Sequence, residues 1–410
     1  MRIGILTFHR SVNNGAVMQC YSLSKKLKED FPDDVVEVVD YQLPLIDASY
    51  EASIKTYFSN SSFEGKIKRA GKLVLNPMMF QHIKKRNEIF KKSLNNLPLS
   101  TERVYDNRPE PVFEYINGKY DALIVGSDAV WNYISRGFPN AYFPDSSVRC
   151  HKLSYAASCY GMEFTGCEDN RKRIGEILST FDFLGVRDCA TEDFVKWSGC
   201  GKDPIHCCDP TAFLNINELP INIGALEHKL KKRGFDFDRP KIGVMGNKQM
   251  VQMIRKFYGS HYQIVSLFNY IRGADVQLYD ITPYEWAYVF RYFKLTFTTY
   301  FHGTMLSLRN GVPLICVALE TEFANNHTPK TLDVLTRLGF QDWYFHTDYK
   351  TTGLSEIKEK ADKLLATDMK QEILNRLDRE SQSYFALKEA LLKIRTNKLN
   401  NLAEKRNSDD

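Results

Sequence analysis

The run from Lys294 to Leu319 leaves few folds open to this chain. A short β-prone stretch rich in Thr and Phe stops at a His-Gly-Thr turn, a helical segment follows, and after Gly311-Val312-Pro313 comes an unbroken apolar run that reads as a buried strand. Strand, turn, helix and strand in that order form one unit of an α/β sheet. In such sheets ligands sit beyond the carboxyl ends of the strands, where helix N-termini offer free N–H groups to anions. His302 stands at that point. A side chain that titrates near neutrality is well placed there to give a proton to an anionic substrate, and a histidine that merely caps the helix is the alternative.

The same alternation runs through the rest of the chain. Arg2 to Phe8 reads as a strand, and Asn13-Asn14-Gly15 opens a helix that runs to about Asp30. Further strands are expected at Val35 to Asp40, Tyr120 to Val125, Lys152 to Ala157 and Phe183 to Arg187, with helices at Glu168 to Phe181 and Ala190 to Trp197. A polar, Pro-containing stretch and a charged segment closing at Pro240 then interrupt the pattern. A second α/β series follows, with strands at Lys241 to Met245 and Tyr262 to Phe268 and helices at Gln249 to Tyr258, Pro283 to Tyr292, Thr331 to Leu338 and Ser355 to Leu365.

At 410 residues the chain exceeds the size at which single cores stop growing, so two α/β domains are expected, 1–214 and 239–366. Met369 to Ile394 reads as one long helix, giving a C-terminal helix over 367–399 and a disordered tail over 400–410.

An apolar fraction of 43% and a charged fraction of 26% are those of an ordinary water-exposed globular protein. No apolar run reaches transmembrane length, and Met1-Arg-Ile-Gly-Ile-Leu-Thr-Phe8 reads as a strand and not as a signal peptide, so a cytoplasmic protein is expected. Nine cysteines, an odd number, agree with a reducing compartment. Seven of them lie between Cys150 and Cys208, but no Cys-x-x-Cys pair occurs, so no metal site is expected.

The net charge of +5 does not call for nucleic acid. Its distribution is uneven. Between Lys66 and Lys92 nine Lys and Arg residues face Glu88 alone and alternate with apolar side chains. A peripheral contact of 66–92 with the inner face of a membrane is one reading, and a helical pair with a solvated charged face is the other, favoured one.

Several short fragments together carry a resemblance. They are Gly4-Ile5-Leu6-Thr7 with Asn14-Gly15-Ala16-Val17-Met18-Gln19; Gly126-Ser127-Asp128 with Trp131-Asn132; Ser154-Tyr155-Ala156-Ala157-Ser158; Gly185-Val186-Arg187-Asp188; Asp209-Pro210-Thr211; and Phe301-His302-Gly303-Thr304 with Gly311-Val312-Pro313. In this order and spacing the chain resembles the polysaccharide pyruvyl transferase family from Ile3 to about Phe340. The resemblance implies two Rossmann-like domains of glycosyltransferase-B type, the first on the acceptor side and the second on the donor side, with a cleft between them. It also implies transfer of the enolpyruvyl part of phosphoenolpyruvate onto a sugar, forming a pyruvate ketal with loss of phosphate. Phosphoenolpyruvate is then a co-substrate, no cofactor or metal is needed, and the acceptor is a sugar of a glycan or of a lipid- or nucleotide-linked precursor.

By the same resemblance His302 is the general acid and Arg187 the cation for carboxylate or phosphate. Lys330 approaches the phosphate, and Asn14 and Gly15 meet the acceptor or a phosphate. Gly126, Ser127, Asp128, Trp131 and Asn132 line the cleft, with Trp131 stacking on a sugar, and Tyr300, Gly303 and Thr304 complete the donor side. Relatives carry an arginine where Tyr300 stands, and a phenol cannot replace a guanidinium opposite a carboxylate. Either Arg187, Lys330 and Arg309 compensate, or the donor differs, as in a glycosyltransferase that uses a nucleotide sugar.

Overall fold

The computed structural model describes residues 1–44, 79–134, 137–166, 168–318 and 328–409. Of the basic segment, 66–78 lies outside the described residues.

The first half contains β1 (Arg2–Leu6), α1 (Asn14–Asp30), β2 (Val35–Val38), β3 (Tyr41–Gln42), α2 (Met79–Ser93), β4 (Val104–Tyr105) and α3 (Glu110–Ile116). It continues with β5 (Ala122–Val125), β6 (His151–Ala157), α4 (Glu168–Ser179), β7 (Phe183–Val186), α5 (Cys189–Ser198) and β8 (Ile205–His206). Six of the strands form a parallel sheet in the order β2-β1-β5-β6-β7-β8. β5 is buried at every position, as expected of a strand covered on both faces.

The second half contains α6 (Ile223–Lys232), β9 (Lys241–Met245), α7 (Lys248–Tyr258), β10 (Gln263–Leu267), β11 (Val276–Leu278), α8 (Pro283–Val289) and β12 (Leu295–Thr298). Then come α9 (Phe301–Arg309), β13 (Leu314–Val317), α10 (Lys330–Arg337), β14 (Tyr344–Phe345), α11 (Leu354–Ala366), α12 (Lys370–Ser381) and α13 (Tyr384–Asp409). Its sheet is again parallel, in the order β11-β10-β9-β12-β13-β14.

Both sheets reverse direction beside their first strand, and this places the site. In the first, the chain leaves β1 for β2 on one side and returns to β5 on the other; in the second it leaves β9 for β10 and returns to β12. Crevices open at such reversals because the flanking connections depart to opposite faces. Asn14-Gly15 follows β1, Gly126 to Asp128 follows β5, and Tyr300 to His302 follows β12. Both reversals therefore carry residues singled out in the sequence.

The C-terminal segment differs from the expected single helix. It is two helices broken at Gln382-Ser383, where Ser383 Oγ donates to the Glu380 carbonyl and the Cys208 N–H donates to Ser383 Oγ at 2.8 Å. The break lets α12 pack on α9 in the second half while α13 returns to the first. There α13 buries Tyr384, Leu387, Leu391 and Ile394, and ion-pairs Lys388 with Asp30 and Lys398 with Asp121. α13 also continues to Asp409, where a disordered tail was expected, because nothing after Leu399 up to that residue is a helix breaker.

Within α2, the basic residues described are not all solvated. Lys85 Nζ reaches the buried carboxylate of Asp280 at 2.6 Å, and the Arg86 guanidinium lies 5.2 Å from the Phe268 ring, so part of this charge ties α2 to the second half. No helix among the described residues is long and apolar enough to cross a membrane.

Trp131 departs most from expectation. It is fully buried, its ring is stacked near Phe143 with Phe181 and Phe194 around it, and its Nε1 donates to the Tyr142 carbonyl at 3.1 Å. A sugar cannot reach it; the indole belongs to the core of the first half. Trp131→Phe should lower stability by about 1–3 kcal/mol in a denaturant titration, because the buried carbonyl loses its donor. Unchanged stability would instead favour a role in the cleft.

Candidate functional site

α1 starts with Asn13 as its N-cap, whose side chain accepts from the N–H groups of Gly15 and Ala16 at 2.9 and 3.4 Å. This turn brings Gly15 against the ring of His302 from the other half. A Cβ on Gly15 would fall on the imidazole, so the close approach of the two helix N-termini requires glycine here. Asn14, the first residue of α1, is buried beside it.

His302 occupies the second position of α9 and keeps only a partial opening to solvent. Its Nδ1 is buried and has no hydrogen-bond partner among the described residues. Burial pushes the imidazole down to about 4; the carboxylates of Asp209 and Asp128 pull it up, and Arg187 and Lys330 push it down again. At neutral pH the ring is therefore uncharged, waiting for a proton.

Arg187 follows β7 and is one of the largest fully buried side chains. Its Nη1 donates to Asp209 Oδ2 at 3.3 Å, while Asp188 Oδ2 lies 3.7 Å from Nε, an ion pair too long for a hydrogen bond. Nε and Nη2 have no hydrogen-bond partner among the described residues. A buried guanidinium with unsatisfied donors is costly unless an anion completes it. Its Cζ lies 4.7 Å from the centre of the Phe301 ring, and Lys330 Nζ, at the start of α10, lies 5.5 Å from that same ring and 5.0 Å from that of Tyr160. One cation from each half thus converges beside His302.

The carboxylates divide into two kinds. Asp209 is saturated: Oδ1 accepts from the Thr211 N–H at 3.0 Å and the Thr211 hydroxyl at 2.6 Å, and Oδ2 accepts from Arg187 and from the Gln19 amide on α1. Asp128, in a left-handed conformation with φ 81°, accepts one hydrogen bond on its carboxylate among the described residues, from the Ala129 N–H to Oδ1 at 2.7 Å. Burial disfavours its charge, yet Arg187, His302 and Lys330 together outweigh this and hold its carboxyl below the usual range.

The remaining sequence candidates scatter. Ser127 Oγ is buried without a hydrogen-bond partner among the described residues, and the Ser127 carbonyl accepts from the Thr7 hydroxyl at 2.9 Å. Asn132 donates to the Tyr160 carbonyl at 3.0 Å and so acts on the loop under Lys330. Tyr300 is 40% exposed, with its hydroxyl 3.4 Å from Asn269 Nδ2. Gly303 and Thr304 do not line the cleft as expected. The helical turn carries them away from His302 and into the sheet, where a Cβ on Gly303 would strike the Thr298 hydroxyl and Thr304 is fully buried. Arg309 does not compensate for Tyr300 either: at the far end of α9 its Nη1 pairs with Asp378 at 3.1 Å and its Nε donates to the Leu214 carbonyl.

Sequence reasoning gave no role to Asp209, Gln19, Phe301 or Tyr160. Asp209, Gln19 and Phe301 stood inside quoted motifs, which was the available signal; Tyr160 had none. Among the described residues no group of three or more His, Cys, Asp or Glu is arranged to hold a metal ion.

A family model described as polysaccharide pyruvyl transferase matches residues 13–321, a span that includes Gly15, Asp128, Arg187, Asp209 and His302 and ends before Lys330. No curated protein matches the chain in sequence. Among solved structures, a UDP-GlcNAc 2-epimerase from Neisseria meningitidis bound to UDP-GlcNAc superposes with a TM-score of 0.53 at 8% identity, covering 96% of this chain and 100% of that one. A protein of Listeria monocytogenes described as a UDP-N-acetylglucosamine 2-epimerase gives 0.51 at 11% identity, covering 95% of each chain. At such identities the likeness speaks for the fold alone, two parallel-sheet halves of glycosyltransferase-B type.

Proposed function

The chain belongs to the polysaccharide pyruvyl transferase family, and we propose that it transfers the enolpyruvyl group of phosphoenolpyruvate to a sugar as a ketal. The observation that carries this reading is the convergence of Arg187 and Lys330 on Phe301 beside His302. Phosphoenolpyruvate brings a carboxylate and a phosphate joined to one alkene. Two cations from opposite sides can hold the two anionic groups, and a proton donor between them can reach the methylene carbon.

Protonation of that carbon leaves an oxocarbenium-like centre that a sugar hydroxyl attacks. A second hydroxyl then displaces phosphate and closes the ketal. Nε and Nη2 of Arg187, without a hydrogen-bond partner among the described residues, supply a planar fork for one anionic group, so the guanidinium absent at Tyr300 is not the sole means of holding the donor.

Tyr300 also favours a second reading, transfer from a nucleotide sugar whose diphosphate would meet the same cations. Titration separates the two. Phosphoenolpyruvate should bind the protein and release phosphate when a sugar acceptor is added. If it does not bind while a nucleotide sugar does, the second reading replaces the first.

A further inference from the structure

Ketal formation removes two hydroxyl protons from the acceptor, so a donor of protons alone does not complete the site. A group able to accept a proton must face the same space, and two carboxylates are near His302.

Asp209 is unsuited to that task. Both its oxygens are engaged, by Thr211 and by Gln19 and Arg187, so neither is open to a substrate hydroxyl. It acts as a positioning residue that fixes one edge of the Arg187 guanidinium. Asp128 is the opposite case. It follows β5 at the reversal of the first sheet, the half expected to face the acceptor, and its carboxylate accepts one hydrogen bond among the described residues, on Oδ1. Oδ2 accepts none among them. Its backbone stands at φ 81°, a conformation that asparagine, aspartate and glycine tolerate better than other residues.

We propose that Asp128 is the catalytic base that takes the proton of the attacking sugar hydroxyl, an assignment that rests on the pyruvyl-transfer reading. The first hydroxyl gives its proton to Asp128 Oδ2 as its oxygen bonds to C2 of phosphoenolpyruvate, and the C2–C3 π pair takes a proton from His302 at C3, making the methyl group. The second hydroxyl oxygen bonds to C2 while the C2–O bond to phosphate breaks, the pair leaving with phosphate, which receives the second hydroxyl proton. Asp128 then returns its proton to the imidazole. Of the two hydroxyl protons, one replaces that given to the methyl group and one leaves on phosphate; no oxidant or other reactant is needed.

The test compares wild type, Asp128→Asn and Asp128→Gly, the glycine being free to keep the positive φ. Phosphoenolpyruvate binding is measured by titration. Phosphate release is measured with the methyl glycoside of glucose, galactose, mannose or N-acetylglucosamine that wild type uses fastest. Asp128→Asn should bind phosphoenolpyruvate at least as well as wild type, since a negative charge is removed, and should transfer on the order of a hundredfold more slowly or worse. Added formate should restore transfer to Asp128→Gly by supplying a carboxylate in the vacated space. Transfer by Asp128→Asn at the wild-type rate would overturn the base assignment alone, as would loss of transfer in Asp128→Gly without formate rescue. Failure of wild type to bind phosphoenolpyruvate would overturn the pyruvyl-transfer reading and the assignment with it.

Discussion

His302→Gln should lower turnover by about a hundredfold to ten-thousandfold, the usual contribution of a positioned general acid, with little change in stability. Glutamine keeps much of the volume and polarity of the ring against Gly15, so the two helix N-termini can still meet. The free protein holds this imidazole at about 4, chiefly through burial, so at neutral pH it carries no proton to give. Binding an anion beside it reverses the balance, because a nearby negative charge favours the protonated form. A ligand that raises this pKa takes up a proton at every pH between the free and bound values, and its affinity falls as pH rises from about 4 toward the bound value. Titration calorimetry of phosphoenolpyruvate near neutral pH, in two buffers of different ionisation enthalpy, should show proton uptake by wild type that His302→Gln lacks. Equal uptake in both proteins would mean that another group gains the proton.

Arg187→Ala should weaken phosphoenolpyruvate binding and transfer by roughly 2–5 kcal/mol, the cost of removing one partner of a desolvated charge-assisted contact. The loss has two parts. The ligand loses a planar pair of donors, and Asp209 loses the guanidinium that balances its buried charge. Arg187→Lys distinguishes them: an ammonium restores the charge but cannot offer the fork, so affinity should recover only in part. Binding unaffected by either substitution would show that the anion sits elsewhere.

Much of this was legible in the chain. The first helix after Asn13, the strand Lys241–Met245 and the helix ended by Gly199 agree with their sequence signals, because caps, apolar runs and a left-handed glycine are local matters. The short strands β8, β11 and β14 gave no signal, since two or three residues hold a strand conformation only through their neighbours. Trp131 illustrates the same limit within the site: its motif pointed to the cleft, and its side chain turned to the core.

By itself the sequence determined the kind of layer this chain builds and the residue types available for chemistry: apolar runs too continuous for a solvated sheet, a histidine at a strand-to-helix turn, and an arginine closing a strand. Tertiary structure decided which of these meet. Arg187 and Lys330 are far apart in sequence, and so are Gly15 and His302; only the reversal of strand order in two separate sheets brings them together. The difference between Asp209 and Asp128 was decided there too. Burial and hydrogen-bond saturation are properties of a surrounding packed in three dimensions, and no spacing along the chain records them.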